Sequence, residues 1–232
     1  MSDSRWLLAI DTATATIVVA AGTPDGRALA EEAFEGRYRH SQELLPALVR
    51  VMDAAGLALP GLGGIVVGTG PGAFTGLRVG LAAAKTLAHE LQRPIVGIST
   101  AEALLEAAPG ATELWLPSGA RDRILVTPGS TPRVIRAPAD PAAGPADPAA
   151  ADEHATGAIA VDLAGRAPEA ALARGREAVA RLGATLLRLG AARIARGERD
   201  DPERLVPRYA SPPRGAARDD SDGGVAWSRD PR

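Results

Sequence analysis

The stretch from residue 63 to residue 98 restricts the fold more than any other. It runs GGIVVG, then the loop TGPGAFTG, then a helix-length segment, then PIVGI. The two flanking runs are short, apolar and β-branched, which is how buried strands read. Between them Leu77, Leu81, Ala84, Ala88 and Leu91 recur at helical spacing through about residue 92, and Pro94 stops the helix. A strand, a helix and a second strand in succession make the strands parallel, joined by a right-handed crossover.

Upstream, WLLAI (6–10), TIVVAA (16–21) and RALAEEAF (27–34) read as three strands joined by short turns. In the second turn, GTPDG, Pro24 presets φ, Asp25 bonds locally and Gly26 accepts positive φ. Residues 40–56 then change period: Leu44, Leu48 and Val51 share a helical face, Ser41 is a candidate cap and Gly56 a stop. Pro46 implies a start near Glu43 or a bend there. STAEALLEAA (99–108) is a helix capped by Ser99 or Thr100. The order β-β-β-α-β-α-β-α gives a mixed five-stranded sheet.

From residue 113 the pattern restarts more weakly, with ELWLPS, RILVTP and PRVIRA as a second meander. An Ala/Pro/Asp-rich stretch over 137–155 reads as a linker, GAIAVDL (157–163) as a strand and 176–197 as one or two helices. The expected organisation is α/β: a lobe over 1–106, a smaller degenerate lobe over 107–209 and a disordered tail over 210–232.

Composition removes several classes of function. There is no cysteine, so disulfides, thiolate metal sites and a cysteine nucleophile are excluded. His40, His89 and His154 share no metal-binding spacing. A net charge of −2 argues against a generally basic nucleic-acid surface. Aromatics are only 3% of the chain, so the core must be built from Ala, Val, Leu and Ile. The apolar amino-terminal run is interrupted by Asp11 and three threonines, so it reads as strands rather than a signal peptide. A cytoplasmic, non-membrane protein is expected.

The loop at 66–80, VVGTGPGAFTGLRVG, looks at first like a phosphate cradle. It matches neither G-x-x-x-x-G-K-[ST], since Lys85 lies deep in the helix, nor G-x-G-x-x-G, which would need glycine at Thr75 or Ala73. Free N–H groups at the helix start, with Arg78 one turn in, leave a weaker anion site. Two other readings compete. Gly68, Gly70 and Gly72 shape a sharp turn that Phe74 pins to the core. Alternatively, Gly76, Gly80 and Ala84 form a small-residue stripe that a neighbouring helix can approach.

Four segments carry a family resemblance: LLAIDTATATIVVAAG, RHSQELLPALVRVM, GTGPGAFTGLRVGLAAAKTLAHELQRPIVGIST and LVPRYASP. Together they resemble the TsaB (YeaZ) family of tRNA threonylcarbamoyladenosine biosynthesis, closely over 6–106 and thinly beyond. Where the family usually shows an Asp-Ala-Arg-Arg run this chain has GARDR (119–123), and RYASPPR stands in place of the family's Tyr-Leu-Arg, so the second lobe departs from its pattern. The resemblance implies an actin-like, ribonuclease-H-like fold of two lobes, each a mixed sheet flanked by helices. It implies a non-catalytic scaffold for TsaD, which transfers threonylcarbamoyl to the adenosine beside the tRNA anticodon. Where TsaD carries a metal-binding His-x-x-x-His, this chain has Thr100 and Leu104. No intrinsic cofactor is implied; ATP and metal belong on TsaD. Further implied partners are TsaE, a second copy of the chain when TsaD is absent, and tRNA indirectly.

Residues follow from this. The implied interface is helices 40–56 and 75–92, through His40, Leu44, Leu48, Phe74, Gly76, Leu77, Gly80 and Ala84, so a bulky residue at Gly80 should break the contact and spare the fold. Weak nucleotide candidates are Asp11, Thr12, Gly70, Gly72 and Arg78. Two enzymatic readings stand beside the scaffold. One is an enzyme of the same superfold, either an ATP-dependent transferase or a metal-dependent nuclease; the nuclease has Asp11 and Glu43 as candidate carboxylates but no acid where GGIVVG ends in Gly68-Thr69-Gly70. A peptidase would use Ser41 and His40, but adjacent helical residues do not face each other.

Overall fold

The computed structural model describes residues 5–36, 40–136 and 157–210, together with the backbone of 216–218 and 225–227. The stretch 137–155 lies outside the described residues.

Strands β1 (Trp6–Asp11), β2 (Thr16–Gly22) and β3 (Ala28–Glu35) form the antiparallel meander. Helix α1 (His40–Ala55), a 3-10 turn (Leu59–Gly61), β4 (Leu62–Gly68), α2 (Phe74–Glu90), β5 (Ile95–Ile98) and α3 (Thr100–Ala107) follow. The sheet order is β3-β2-β1-β4-β5, with β1–β4 and β4–β5 parallel. Helix α1 runs through Pro46, which is exposed, because burial of Leu44, Ala47, Leu48 and Val51 outweighs the lost backbone bond. Gly56, at φ +64°, closes it. The Ser99 side chain caps α3 by accepting from Glu102 N–H.

The second sheet contains β6 (Glu113–Ser118), β7 (Asp122–Val126), β8 (Arg133–Ile135) and β9 (Ala158–Ala160), in the order β8-β7-β6-β9. With β6–β9 parallel and the other pairs antiparallel, it repeats β3-β2-β1-β4, with no fifth strand among the described residues. Helix α4 (Glu169–Ala180) packs on it through β9, and α5 (Leu182–Ala195) follows. The helical segment thus begins seven residues before the expected 176, because EAALA already supplies Ala171 and Leu172 to the core.

Alternate residues of the first sheet enter opposite faces. Leu8, Ile10, Ile17, Val19, Ile65 and Val67 pack under α1 and α2. Leu7, Ala9, Val18, Val66 and Val96 pack against α3 and α5. That second cluster continues without a break into Leu114, Leu116, Ile124 and Ile159 of the second sheet. Helix α5 therefore lies on the first sheet although its residues come after the second.

Beyond α5 the chain returns along the outer edge of β5. Asp200 N–H donates to Ile95 O at 2.8 Å, and Arg208 N–H to Thr69 O at 2.8 Å. Gly97 N–H donates to Asp200 Oδ2 at 2.7 Å, and Arg193 Nη1 donates to Gly97 O at 2.8 Å. The Arg193–Asp200 pair thus satisfies the strand edge that a further strand would have covered. One expectation is corrected in the tail. Ala216–Arg218 and Val225–Trp227 pair antiparallel, where a tail without structure was expected.

Candidate functional site

In an open α/β sheet, ligands sit in the crevice beyond the carboxyl ends of strands where the strand order reverses. Here that point lies between β1 and β4, which end in Asp11 and Gly68. The crevice is filled by the chain itself. Asp11 is fully buried; its Oδ1 accepts from Ala13 N–H at 2.9 Å and its Oδ2 from the Thr100 hydroxyl at 2.6 Å. Thr100 Oγ1 in turn accepts from Gly70 N–H at 3.0 Å, and Thr100 N–H donates to Gly70 O at 2.9 Å. Gly68 is glycine because a Cβ there would overlap Asp11 Oδ2.

Burial raises the Asp11 carboxyl to about 6, against the opposing pull of the Thr100 and Ala13 hydrogen bonds. Both oxygens face protein donors, so this acid is a tie between β1 and α3.

The turn after Asp11 is likewise occupied. Ala13 N–H is held by Asp11, Ala15 N–H donates to Asp162 Oδ2 at 2.6 Å, and Thr16 N–H donates to Thr14 Oγ1 at 3.2 Å. The Gly72 backbone lies against Ala13 O, which accepts from Ala73 N–H at 2.7 Å. A phosphate would need those N–H groups and that close approach, so the residues present do not fit a nucleotide at this turn. Nor do they fit the metal of a His-x-x-x-His site. Thr100 is engaged by Asp11, and Leu104 is buried in the core.

The other candidates fall as follows. Thr12 Oγ1 donates to Gly76 O at 2.7 Å, and Gly80 faces Thr12 so closely that a Cβ would overlap Thr12 Oγ1. Gly70, at φ +94°, opens the cis Gly70–Pro71 bond. Arg78 lies with its guanidinium 4.0 Å from the centre of the Phe74 ring, itself 5.1 Å from the Tyr209 ring. Phe74 is therefore half-buried against the returning chain, where the sequence suggested a pin to the core.

The expected interface is corrected most. Leu44 and Leu48 are buried where α1 packs on β2 and β3, and Gly76, Leu77, Gly80 and Ala84 where α2 packs on β4 and β1, so these residues serve the chain's own core. The small-residue stripe lets α2 approach its own sheet. His40 opens α1. The outward face of α1 instead carries Leu45 and Val49, one turn apart and 54% and 53% exposed. Helix α2, packed beside α1, exposes Ala82 and Thr86. Both apolar residues lay in the sequence beside the chosen ones, on the face that the helical period assigns to solvent. Thr100 was readable as a cap but not as the partner of Asp11, 89 positions away.

Among the described residues, no group of three or more His, Asp or Glu is placed to hold a metal ion, and no helix is long and apolar enough to cross a membrane. Two sheets of the same order, one cut short, with helices on both faces of the first, define an actin-like, ribonuclease-H-like α/β protein.

The family model described as TsaD: tRNA N6-adenosine threonylcarbamoyltransferase matches residues 35–166. The tRNA threonylcarbamoyladenosine biosynthesis protein TsaB of Escherichia coli is 38% identical over 115 residues, 49% of this chain and 46% of that protein. TsaB of Bacillus subtilis is 38% identical over 98 residues, 42% of each. The structure of YeaZ from Pseudomonas aeruginosa superposes with a TM-score of 0.58 at 26% identity, covering 88% of this chain and 99% of that one. The chain belongs to this family, on its TsaB (YeaZ) side. Its sequence matches span about half the length of those two TsaB relatives.

Proposed function

We propose that this chain is a non-catalytic subunit of tRNA threonylcarbamoyladenosine biosynthesis that binds and supports TsaD. The observation that carries the reading is the closed switch point: both oxygens of Asp11 are held by Thr100 and Ala13. A nuclease or transferase working through Asp11 would need that carboxylate turned toward a metal or substrate. The family names point to the pathway.

The docking face follows from exposure. Leu45 and Val49 form an apolar pair on α1 that the chain leaves in water, with Ala82 on α2 small enough for a close helix approach. TsaD fits this face as the main partner, a second copy covers it when TsaD is absent, and TsaE joins through the complex. ATP and metal reside on TsaD, and tRNA is contacted indirectly, in the cytoplasm.

Size-exclusion chromatography of a mixture with TsaD tests the proposal. The chain should co-elute with TsaD, and Leu45→Asp with Val49→Asp should weaken association at least about a hundredfold at unchanged melting temperature. Separate peaks for the unaltered proteins, or undiminished association of the double variant, would refute the docking face.

A further inference from the structure

A cavity of about 590 Å³ lies between the β2–β3 edge of the first sheet and β9 and α4 of the second, lined by Ala33, Val161, Leu163, Leu172 and Val179. At its rim one side chain joins the two sheets. Asp162, in the turn after β9, reaches across to the turn between β1 and β2 and accepts from Ala15 N–H at 2.6 Å. We propose that Asp162 is an internal latch that holds the two sheets closed around this cavity without any ligand.

Four observations support the latch. Asp162 is in the left-handed region, at φ +58°, a conformation that Asp tolerates better than most residues and that aims its carboxylate out of the β9 turn. The turn behind it is anchored to its own sheet: Val161 N–H donates to Trp115 O at 3.0 Å, and Arg166 Nη1 to Ala120 O at 2.9 Å. The turn in front is equally fixed, since Ala15 O accepts from Gly36 N–H at 2.8 Å and Ala13 O from Ala73 N–H. Two braced turns on two sheets are therefore joined by a charge-assisted hydrogen bond at the solvent-facing side, opposite the shared apolar core. The carboxylate holds the N–H that an anionic ligand bridging the sheets would otherwise use, so closure becomes a built-in property of the chain.

The inference does not depend on the TsaD reading, and its test uses the isolated full chain. Three variants separate the causes. Asp162→Asn keeps an acceptor and tolerance of positive φ, Asp162→Gly keeps only the backbone freedom, and Asp162→Ala keeps neither. By amide hydrogen exchange, Ala15 should exchange about tenfold faster or more in the Gly and Ala variants and little faster in Asn, with Val18 and Ala20 of β2 unchanged. Because the chain has no cysteine, Glu35→Cys and Ala164→Cys can carry a pair of spin labels across the cavity mouth. Their distance distribution should broaden and lengthen in Asp162→Gly. Unchanged Ala15 exchange, a uniform acceleration of every amide, or an unaltered label distance would each overturn the latch.

Discussion

Asp11 places an acid in a fully buried position at the end of β1, and its chemistry decides how the switch point behaves. Its carboxyl is raised to about 6, chiefly by desolvation. A group whose pKa is higher folded than unfolded stabilises the fold below its unfolded pKa, and that contribution disappears as pH rises through the folded value. Ionised Asp11 is therefore a burden on stability above about pH 6, of roughly 2–3 kcal/mol at ~1.4 kcal/mol per pKa unit. Asp11→Asn, which keeps an acceptor for Ala13 N–H, should gain stability relative to the parent between pH 4 and pH 8. Urea titrations at both values check this. A difference independent of pH would show that Asp11 titrates normally. Asp11 accepts from the backbone of its own turn, at Ala13 N–H, a local bond that an aspartate ending a strand makes legible in sequence. The sequence could not reveal Thr100 or Asp162, because contacts at separations of 89 and 147 residues leave no local periodicity to read.

At the scale of elements, strands and helices of the first sheet were legible because period-2 runs, a 3.6-residue stripe and Gly or Pro stops agree there. The direction of the α2 stripe was not. Gly76, Gly80 and Ala84 are equally suited to a partner helix or to the chain's own sheet, and only the β1–β4 packing decides between them. The consequence for Gly80 reverses the expectation from sequence. A Cβ at Gly80 would overlap Thr12 Oγ1 and disturb its bond to Gly76 O, so Gly80→Ala should destabilise the fold by about 1–3 kcal/mol. Calorimetry measures the loss. Binding of TsaD by the fraction that remains folded should be unchanged. A variant of full stability that fails to bind would return α2's stripe to the interface.

For the whole molecule, one apolar cluster runs from β1 and β4 through α3 and α5 into β6, β7 and β9, across the expected lobe boundary after residue 106. This continuity depends on α5 returning to the first sheet, which no feature within 182–195 announces. Shared burial on that scale couples the lobes, so thermal unfolding should be one cooperative transition with equal calorimetric and van't Hoff enthalpies. Two resolved transitions would mean the lobes are held less tightly than the shared core requires. A shared core of this kind also suits the subunit role proposed above, whose contribution is a surface. The most direct test of that role is a reconstituted threonylcarbamoyl-transfer assay on tRNA with TsaD and TsaE, comparing the parent chain with Asp11→Asn. Transfer should be absent with the chain alone, present in the mixture and sustained at near-parent rates by Asp11→Asn. Loss of transfer by an Asp11→Asn chain that still folds and still binds TsaD would make Asp11 catalytic and contradict the scaffold.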